Sequence, residues 1–264
     1  MAAKKQTRKQ TKRSAKPKRY RSSMIAKLIT VIAAALAVVA GVIIFFKVHH
    51  ITVVGNERYP AQTIVEASGL EIGENLMAIN RDAAMVNITT RLPYVDEARI
   101  SRRMPDTVLI EVVECDSVAW IHSEEGQVWL LSASCKLTEP VTSETQVDLD
   151  GLTELQGVLA KSPEAGLQLK LETEEQQNAL QIILPALSET GLLTGIRSID
   201  LSRTFDLTMV YTDRFDIRLG GTDQLDYKIR YLDEIINHQL DASKTGTIDL
   251  TMEESGTARL IPWS

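Results

Sequence analysis

The longest apolar stretch of the chain lies near its N-terminus, where residues 28–46 form a run of nineteen residues without a charged side chain. As an α-helix this run would be about 28 Å long, close to the ~30 Å thickness of a membrane's hydrocarbon core. A cleaved signal peptide usually has a shorter apolar region followed by small residues. This run ends instead in the sequence FFKVHH. We therefore expect an uncleaved transmembrane helix over residues 28–46, with a signal peptide or a buried soluble helix as the alternatives.

Shorter apolar patterns follow between residues 48 and 116, in the order strand, helix, helix, strand, strand. Gly69 suits a left-handed end to the first helix, Asn80 suits the N-cap of the second, and Pro93 ends that second helix. The predicted strands are 51–54, 98–101 and 108–113, and the predicted helices are 60–68 and 81–92. This pattern predicts a small three-stranded sheet with two helices on one face, because that arrangement buries the apolar side of each element.

A second set of patterns covers residues 117–252. One predicted helix begins at a capping box of Thr173 to Gln176, and another carries an apolar stripe from Leu225 to Leu240. Pro185 lies inside the first of these helices and predicts a kink or an early stop. Predicted strands lie at 118–121, 127–131, 196–201, 207–211, 215–219 and 247–252. The sequence thus predicts an α+β protein whose second unit is a mixed domain with an antiparallel sheet and two helices, followed by a C-terminal tail at 253–264.

Charge divides the chain into a basic tail and an acidic body. Residues 1–27 contain eleven of the 29 Lys and Arg residues and no acid, and the first of the 35 Asp and Glu residues is Glu57. Positive charge keeps its side of a span in the cytoplasm, so residues 48–264 are expected outside it. The tail has little to bury, which predicts disorder, and its charge favours anionic lipid. A nucleic-acid-binding tail is the alternative, but no aromatic residues alternate with the charges to favour it.

Candidate chemistry is sparse along the chain. A composition with 44% hydrophobic and 24% charged residues is that of a globular protein, and it excludes a collagen or a disulfide-dense toxin. Cys115 and Cys135 permit a disulfide outside the cytoplasm, with free thiols as the alternative. The four His residues lack metal-ligand spacing, and Gly220-Gly221 lacks the lysine of a phosphate-binding loop. We therefore assign no catalytic residue, no metal and no cofactor.

Several motifs in residues 48–116 resemble a POTRA domain of the FtsQ/DivIB kind. They are V-x-G-N at 53–56, G-L-x-x-G-x-N at 69–75, P-x-V-x-x-A at 93–98 and R-x-P-D-T-V-x-I-x-V at 103–112. One position departs from the family pattern, since Cys115 follows Glu114 where the family often has Arg. A looser resemblance to the family's β domain continues through Leu219-Gly220, a helix carrying Lys228, and Ile248-Asp249-Leu250.

This resemblance implies a bitopic bacterial division protein without catalytic activity, located in the plasma membrane at the division septum. It implies a POTRA domain at 48–116 and a β domain at 117–252 that binds FtsB/DivIC-type and FtsL-type partners. A POTRA-bearing secretion or assembly component and a membrane-anchored cell-wall enzyme are the alternatives. We expect a partner segment to add as a strand to an open sheet edge. The residues assigned to this edge are Thr247, Ile248, Asp249, Leu250, Thr251, Met252, Phe215, Ile217 and Leu219.

Overall fold

The computed structural model describes residues 20–142, 148–241, 244–251 and 258–263. Its α-helices are α1 (Tyr20–Phe45), α2 (Ala61–Ser68), α3 (Arg81–Arg91), α4 (Glu174–Glu189) and α5 (Leu225–Glu234). Short 3-10 turns lie at Leu149–Gly151 and Leu192–Gly195, and α5 continues into a π-helical turn at Ile235–Gln239. The strands are β1 (His50–Val54), β2 (Val95–Arg103), β3 (Thr107–Glu114), β4 (Ala119–His122), β5 (Val128–Leu131), β6 (Leu137–Pro140), β7 (Thr153–Gln156), β8 (Ile196–Asp200), β9 (Leu207–Tyr211), β10 (Phe215–Gly220), β11 (Gly246–Asp249) and β12 (Arg259–Pro262).

The N-terminal helix α1 contains the predicted span. Its segment Met24–Val42 has a mean hydropathy of 2.4 and is not buried against the rest of the chain, which fits a membrane anchor. The helix begins at Tyr20, so the prediction of disorder up to residue 27 is wrong for residues 20–27. Lys, Arg, Met and Ala are favourable helix formers, so the helix extends beyond the apolar run. Residues 1–19 of the basic tail lie outside the described residues.

The three-stranded sheet confirms the β-α-α-β-β prediction for the first unit. Its strand order is β1-β3-β2, with β1 parallel and β2 antiparallel to β3. The predicted helix ends are also confirmed. Gly69 ends α2 in the left-handed conformation at φ 72°, and the side chain of Asn80 accepts a hydrogen bond from the N–H of Ala83 at the start of α3. Ile64 of α2 and Ile88 of α3 are fully buried in a core shared with the sheet.

The second sheet has nine strands in the order β12-β11-β10-β9-β8-β7-β4-β5-β6. Helices α4 and α5 contribute buried residues to the core that the sheet's apolar side forms. The predicted antiparallel meander is confirmed, since β9 pairs antiparallel with both β8 and β10. The sheet as a whole is mixed, because β7 pairs in parallel with β4 and β8, and β11 pairs in parallel with β10. The chain between β7 and β8, which contains α4, and the chain between β10 and β11, which contains α5, form crossovers of the kind that parallel neighbours require.

The prediction for α5 is confirmed, and one prediction for α4 is wrong. The stripe on α5 is confirmed, since Leu225, Ile229 and Leu232 are buried. The early stop at Pro185 is wrong, because α4 continues to Glu189. Proline in a helix interior removes one backbone hydrogen bond and costs about 3 kcal/mol. Burial of Leu184 and Leu187 on either side of the proline offsets that cost.

A buried polar contact joins the two sheets. The ammonium group of Lys136 is buried and donates to the carbonyl oxygens of Leu92 and Val95, which lie beside the three-stranded sheet. The Asp96 carboxylate accepts hydrogen bonds from the Ser132 and Ser134 hydroxyls at 3.2 and 2.9 Å. The two sheets therefore meet through side chains at fixed hydrogen-bonding distances and not only through the connecting chain at residues 115–118.

Candidate partner-binding site

The predicted sheet edge is not an edge of the nine-stranded sheet. Thr247, Ile248 and Asp249 lie in β11, which is flanked by β10 and β12. Leu250 and Thr251 follow β11, and the backbone N–H of Leu250 donates to the carbonyl oxygen of Arg218 in β10. Met252 lies outside the described residues. The side chains of Phe215, Ile217 and Leu219 in β10 are fully buried in the core. The assignment is wrong because residues 259–262 form a further strand.

Among the strands that the structure describes, the outermost one on this side is β12. It runs antiparallel to β11, with Thr247 opposite Ile261 and Asp249 opposite Arg259. The N–H groups of Gly246 and Leu250 donate toward β10, so the alternate residues of β11 direct their backbone groups toward β12. Ile261 and Arg259 therefore pair with β11, and Leu260 and Pro262 direct their backbone groups outward. Because proline has no N–H, this outer edge offers the Leu260 N–H as donor and the carbonyl oxygens of Leu260 and Pro262 as acceptors.

A glycine allows β11 and β12 to approach each other. Gly246 begins β11 at φ 154°, and a Cβ atom at this position would lie 2.4 Å from the carbonyl oxygen of Ile261. Real Cβ atoms do not approach backbone atoms so closely, so any larger residue would push the two strands apart. Gly246 is thus a local requirement for the outer strand.

Charged side chains reinforce the same edge. Arg218 of β10 lies 3.1 Å from a carboxylate oxygen of Asp206 and 3.8 Å from one of Asp249. Asp249 also accepts hydrogen bonds from the N–H and the hydroxyl of Thr251, at 2.9 and 2.6 Å. Burial raises the pKa of Asp249, but these hydrogen bonds and the charges of Arg218 and Arg259 outweigh it and hold the pKa below its ordinary value. The carboxylate of Asp249 is therefore ionised at neutral pH.

Helix α5 supports the edge from inside the core. Lys228 is buried, and its ammonium group donates to the carbonyl oxygens of Leu219 and Gly221 at 2.9 and 3.3 Å. These two carbonyls lie where β10 ends and the chain turns toward α5. The charged group is paired with backbone acceptors, as a buried ammonium requires. This contact fixes the end of β10, the strand with which β11 pairs.

The outer surface of β12 combines backbone and apolar groups. Leu260 packs against the core, whereas Ile261 and Trp263 are exposed. Such an edge can accept an extended chain by backbone hydrogen bonding, with Ile261 and Trp263 available for its side chains. Sequence reasoning missed β12 because its polar-apolar alternation covers only residues 258–260, which is a weak signal for a strand.

Catalytic or metal-binding chemistry has little support in the part of the chain described. No group of three His, Cys, Asp or Glu side chains among those residues could hold a metal ion. Cys115 and Cys135 are free thiols and not a disulfide. Burial, together with the charge of Asp96, raises the pKa of each thiol to about 12. Both therefore stay protonated at neutral pH, which makes them poor nucleophiles.

Comparisons with known proteins bear on this arrangement. Residues 46–114, which contain the three-stranded sheet and its two helices, match the model of the FtsQ-type POTRA domain. The chain is 23% identical over 239 residues to the cell division protein DivIB of Clostridium botulinum strain Loch Maree, covering 90% of this chain and 91% of that protein. It is 25% identical over 202 residues to the cell division protein FtsQ of Corynebacterium glutamicum, covering 76% and 79% of the two chains.

Residues 46–114 form a POTRA domain of the FtsQ type, and the chain is similar over most of its length to proteins named DivIB and FtsQ. These relatives are named as cell division proteins, which supports a role in division for this chain. The similarity to DivIB of Clostridium botulinum covers most of both chains and is not confined to the POTRA domain. The predicted family resemblance is confirmed, and so is the α+β class with an N-terminal apolar helix.

Proposed function

We propose that this protein is a non-catalytic membrane scaffold of the bacterial division machinery. Its POTRA domain at 48–116 and its β domain, which we extend from 117 through β12 to residue 263, would act outside the cytoplasm. Their partners would be FtsB/DivIC-type and FtsL-type proteins, and the complex would support wall synthesis at the septum. The open edge of β12 is the observation that carries the proposal, because an unpaired edge can hold a partner without any chemical step.

The orientation follows from charge. Residues 1–27 carry eleven Lys and Arg residues, and Lys47 is the first basic residue after the span. This asymmetry supports a cytoplasmic N-terminus with both sheets on the outer side of the membrane. The basic tail would rest on anionic lipid at the cytoplasmic surface. Partners anchored in the same membrane would then meet β12 on the extracytoplasmic side.

The decisive experiment measures binding of the full chain in lipid nanodiscs to the extracytoplasmic segments of FtsB/DivIC-type and FtsL-type proteins of the same cell. Leu260→Pro removes the outward N–H of β12, and Leu260→Ala is its matched control because it loses the side chain but keeps that N–H. Loss of one net hydrogen bond of about 1.4 kcal/mol weakens binding about tenfold. We expect this weakening or a larger one for Leu260→Pro relative to Leu260→Ala.

Leu260 lies on the outer edge of the sheet, so a proline there leaves the pairing of the interior strands intact. A proline at Leu250 would break the hydrogen bond to Arg218 and disturb the pairing of β10 with β11. Equal binding by folded Leu260→Pro and Leu260→Ala proteins would show that partners do not use the edge of β12. Absence of binding by the unaltered chain to either partner segment would contradict the scaffold proposal itself.

A further inference from the structure

The end of the POTRA domain next to α1 displays exposed apolar side chains on two loops. We call these the exit loops: residues 70–79, between α2 and α3, and residues 104–106, between β2 and β3. Ile72 and Met77 in the first loop are 71% and 46% exposed, and Met104 in the second is 58% exposed. Single exposed apolar residues are common on protein surfaces, so their position relative to the membrane helix is what distinguishes them.

The first exit loop is bonded directly to the chain that leaves the helix. The N–H of Leu76 donates to the carbonyl oxygen of Phe46 at 2.7 Å, and the N–H of Val48 donates to the carbonyl oxygen of Glu74 at 2.9 Å. The N–H of Gly73, beside Ile72, donates to the carbonyl oxygen of Val48 at 2.7 Å. Helix α1 ends at Phe45, so this pairing begins at the first residue after the helix. No spacer separates the membrane helix from the loop.

The second exit loop lies at the same end of the domain. His50 pairs with Thr107 at the start of the parallel strands β1 and β3, so the turn before Thr107 faces the helix exit. The N–H of His49 donates to the carbonyl oxygen of Asp106 at 2.8 Å. Both loops are therefore held against residues 46–50 by backbone hydrogen bonds.

Both loops are also anchored in the POTRA core. Leu70, Leu76 and Ile79 of the first loop are buried, as is Val48 beside them. Phe46 packs against the same core. Ile72 and Met77 therefore lie exposed on a loop that the core holds in place. The residues that follow α1 are held by the same core.

Distances place these loops in the lipid headgroup layer. A bilayer is about 30 Å thick in its hydrocarbon core and about 40–45 Å with its headgroups, which leaves about 5–8 Å on each side. The two residues from Phe45 to Lys47 can span at most about 7 Å. Lys47 forms a β-bridge with Asn75, so the first exit loop stays next to the membrane surface while α1 spans the membrane.

We propose that the exit loops insert Ile72, Met77 and Met104 into the outer face of the bilayer, so that the POTRA domain stands on the membrane in one orientation. This proposal rests on the membrane anchor and the orientation in the proposed function. Apolar side chains that reach this depth leave water, which favours the contact. The exposed basic residues Lys47 and Arg103 are matched in number by the exposed acidic residues Glu71 and Glu74, so net attraction by charge is small.

The test uses the full chain in vesicles of phosphatidylglycerol and phosphatidylethanolamine, with the photoreactive residue p-benzoylphenylalanine at single positions. Lipid capture is read as a mass increase of one phospholipid. We expect adducts at Ile72, Met77 and Met104 and none at Val113. Val113 is the matched control because it is also 58% exposed, but it lies six residues beyond Thr107 along β3, about 20 Å from the turn.

A fifth position separates this proposal from the anchor on which it rests. Val38 lies within the apolar helix and should capture lipid wherever α1 spans the membrane. Capture at Val38 without capture at Ile72 and Met104, or capture at Val113 as strongly as at Met104, would overturn insertion of the exit loops. Loss of capture at Val38 would instead contradict the membrane anchor. Yields at Ile72 that collapse in high salt would show contact by charge and would also overturn the proposal.

Discussion

At the scale of single residues, the outer edge of the nine-stranded sheet depends on positions that tolerate few other residues because of side-chain size or charge. Gly246 lets two strands approach more closely than a Cβ atom would allow, and Asp249 gathers Thr251, Arg218 and Arg259 around one carboxylate. These positions act on the edge through the backbone of β11, and their side chains need not touch a partner. Their effect should therefore appear first in stability and only then in binding.

The first prediction concerns Gly246→Ala. The added Cβ would meet the Ile261 carbonyl oxygen, and a strained backbone conformation costs about 1–3 kcal/mol. We expect a loss of unfolding free energy of that size, measured by denaturant titration of the full chain in detergent. Gly221→Ala is the matched control, because a Cβ there meets no atom within 4 Å. An equal effect of the two substitutions would contradict the crowding between β11 and β12.

At the scale of elements, the helices and the strands with a repeated alternation followed their local patterns, and strands β6, β7 and β12 did not. The stripe on α5 and the alternation in β9 and β10 match the structure because each repeats over five or more residues. Strands β6, β7 and β12 have four residues each, and pairing with a neighbouring strand decides their place. The predicted binding edge failed because β12, which has only a weak pattern of its own, pairs with β11 and covers it.

The pairing of β11 with β12 should depend on pH through Asp249. Its pKa in the folded chain lies below the unfolded value of about 3.9, so its stabilising effect is full above that value. The effect is lost as the pH falls through the folded pKa. We expect Asp249→Asn to cost about 1 kcal/mol at pH 7 and almost nothing once the pH is well below the folded pKa of Asp249.

Thermal unfolding of the unaltered and Asp249→Asn proteins across this pH range measures the difference. Asp216→Asn serves as control, because Asp216 lies exposed on the neighbouring strand β10. A difference between the unaltered and Asp249→Asn proteins that persists unchanged to the lowest pH would show that ionisation of Asp249 does not stabilise the edge.

At the scale of the whole molecule, the contact around Lys136 decides whether the two sheets move together. Its ammonium group reaches backbone carbonyls beside β2, and the Asp96 carboxylate reaches back to two serines near β5. Burial lowers the pKa of Lys136, although the charge of Asp96 opposes that shift. A buried charge is costly to leave unpaired. Rotation between the sheets would either expose the Lys136 ammonium group or leave it buried without its acceptors.

We expect Lys136→Met to loosen this contact at a cost of about 1–3 kcal/mol, because the carbonyl oxygens of Leu92 and Val95 lose their charged donor. Hydrogen exchange should rise together at residues 92–96 and 132–137, on both sides of the contact. Lys170→Met removes an exposed lysine and is the control. Faster exchange on one side alone would argue against a joint that couples the two sheets.

Strand β7 also has a consequence for how the chain acquires its structure. The hairpins of β4–β6 and of β8–β10 need only neighbouring residues, whereas β7 must pair in parallel with both groups. Closing the long loops between them costs entropy before any contact repays it, so docking of β7 is the expected slow step of folding. Until it docks, a newly made chain presents β4 and β8 as unpaired edges. That interval is when a strand from another chain can most easily take the place of β7.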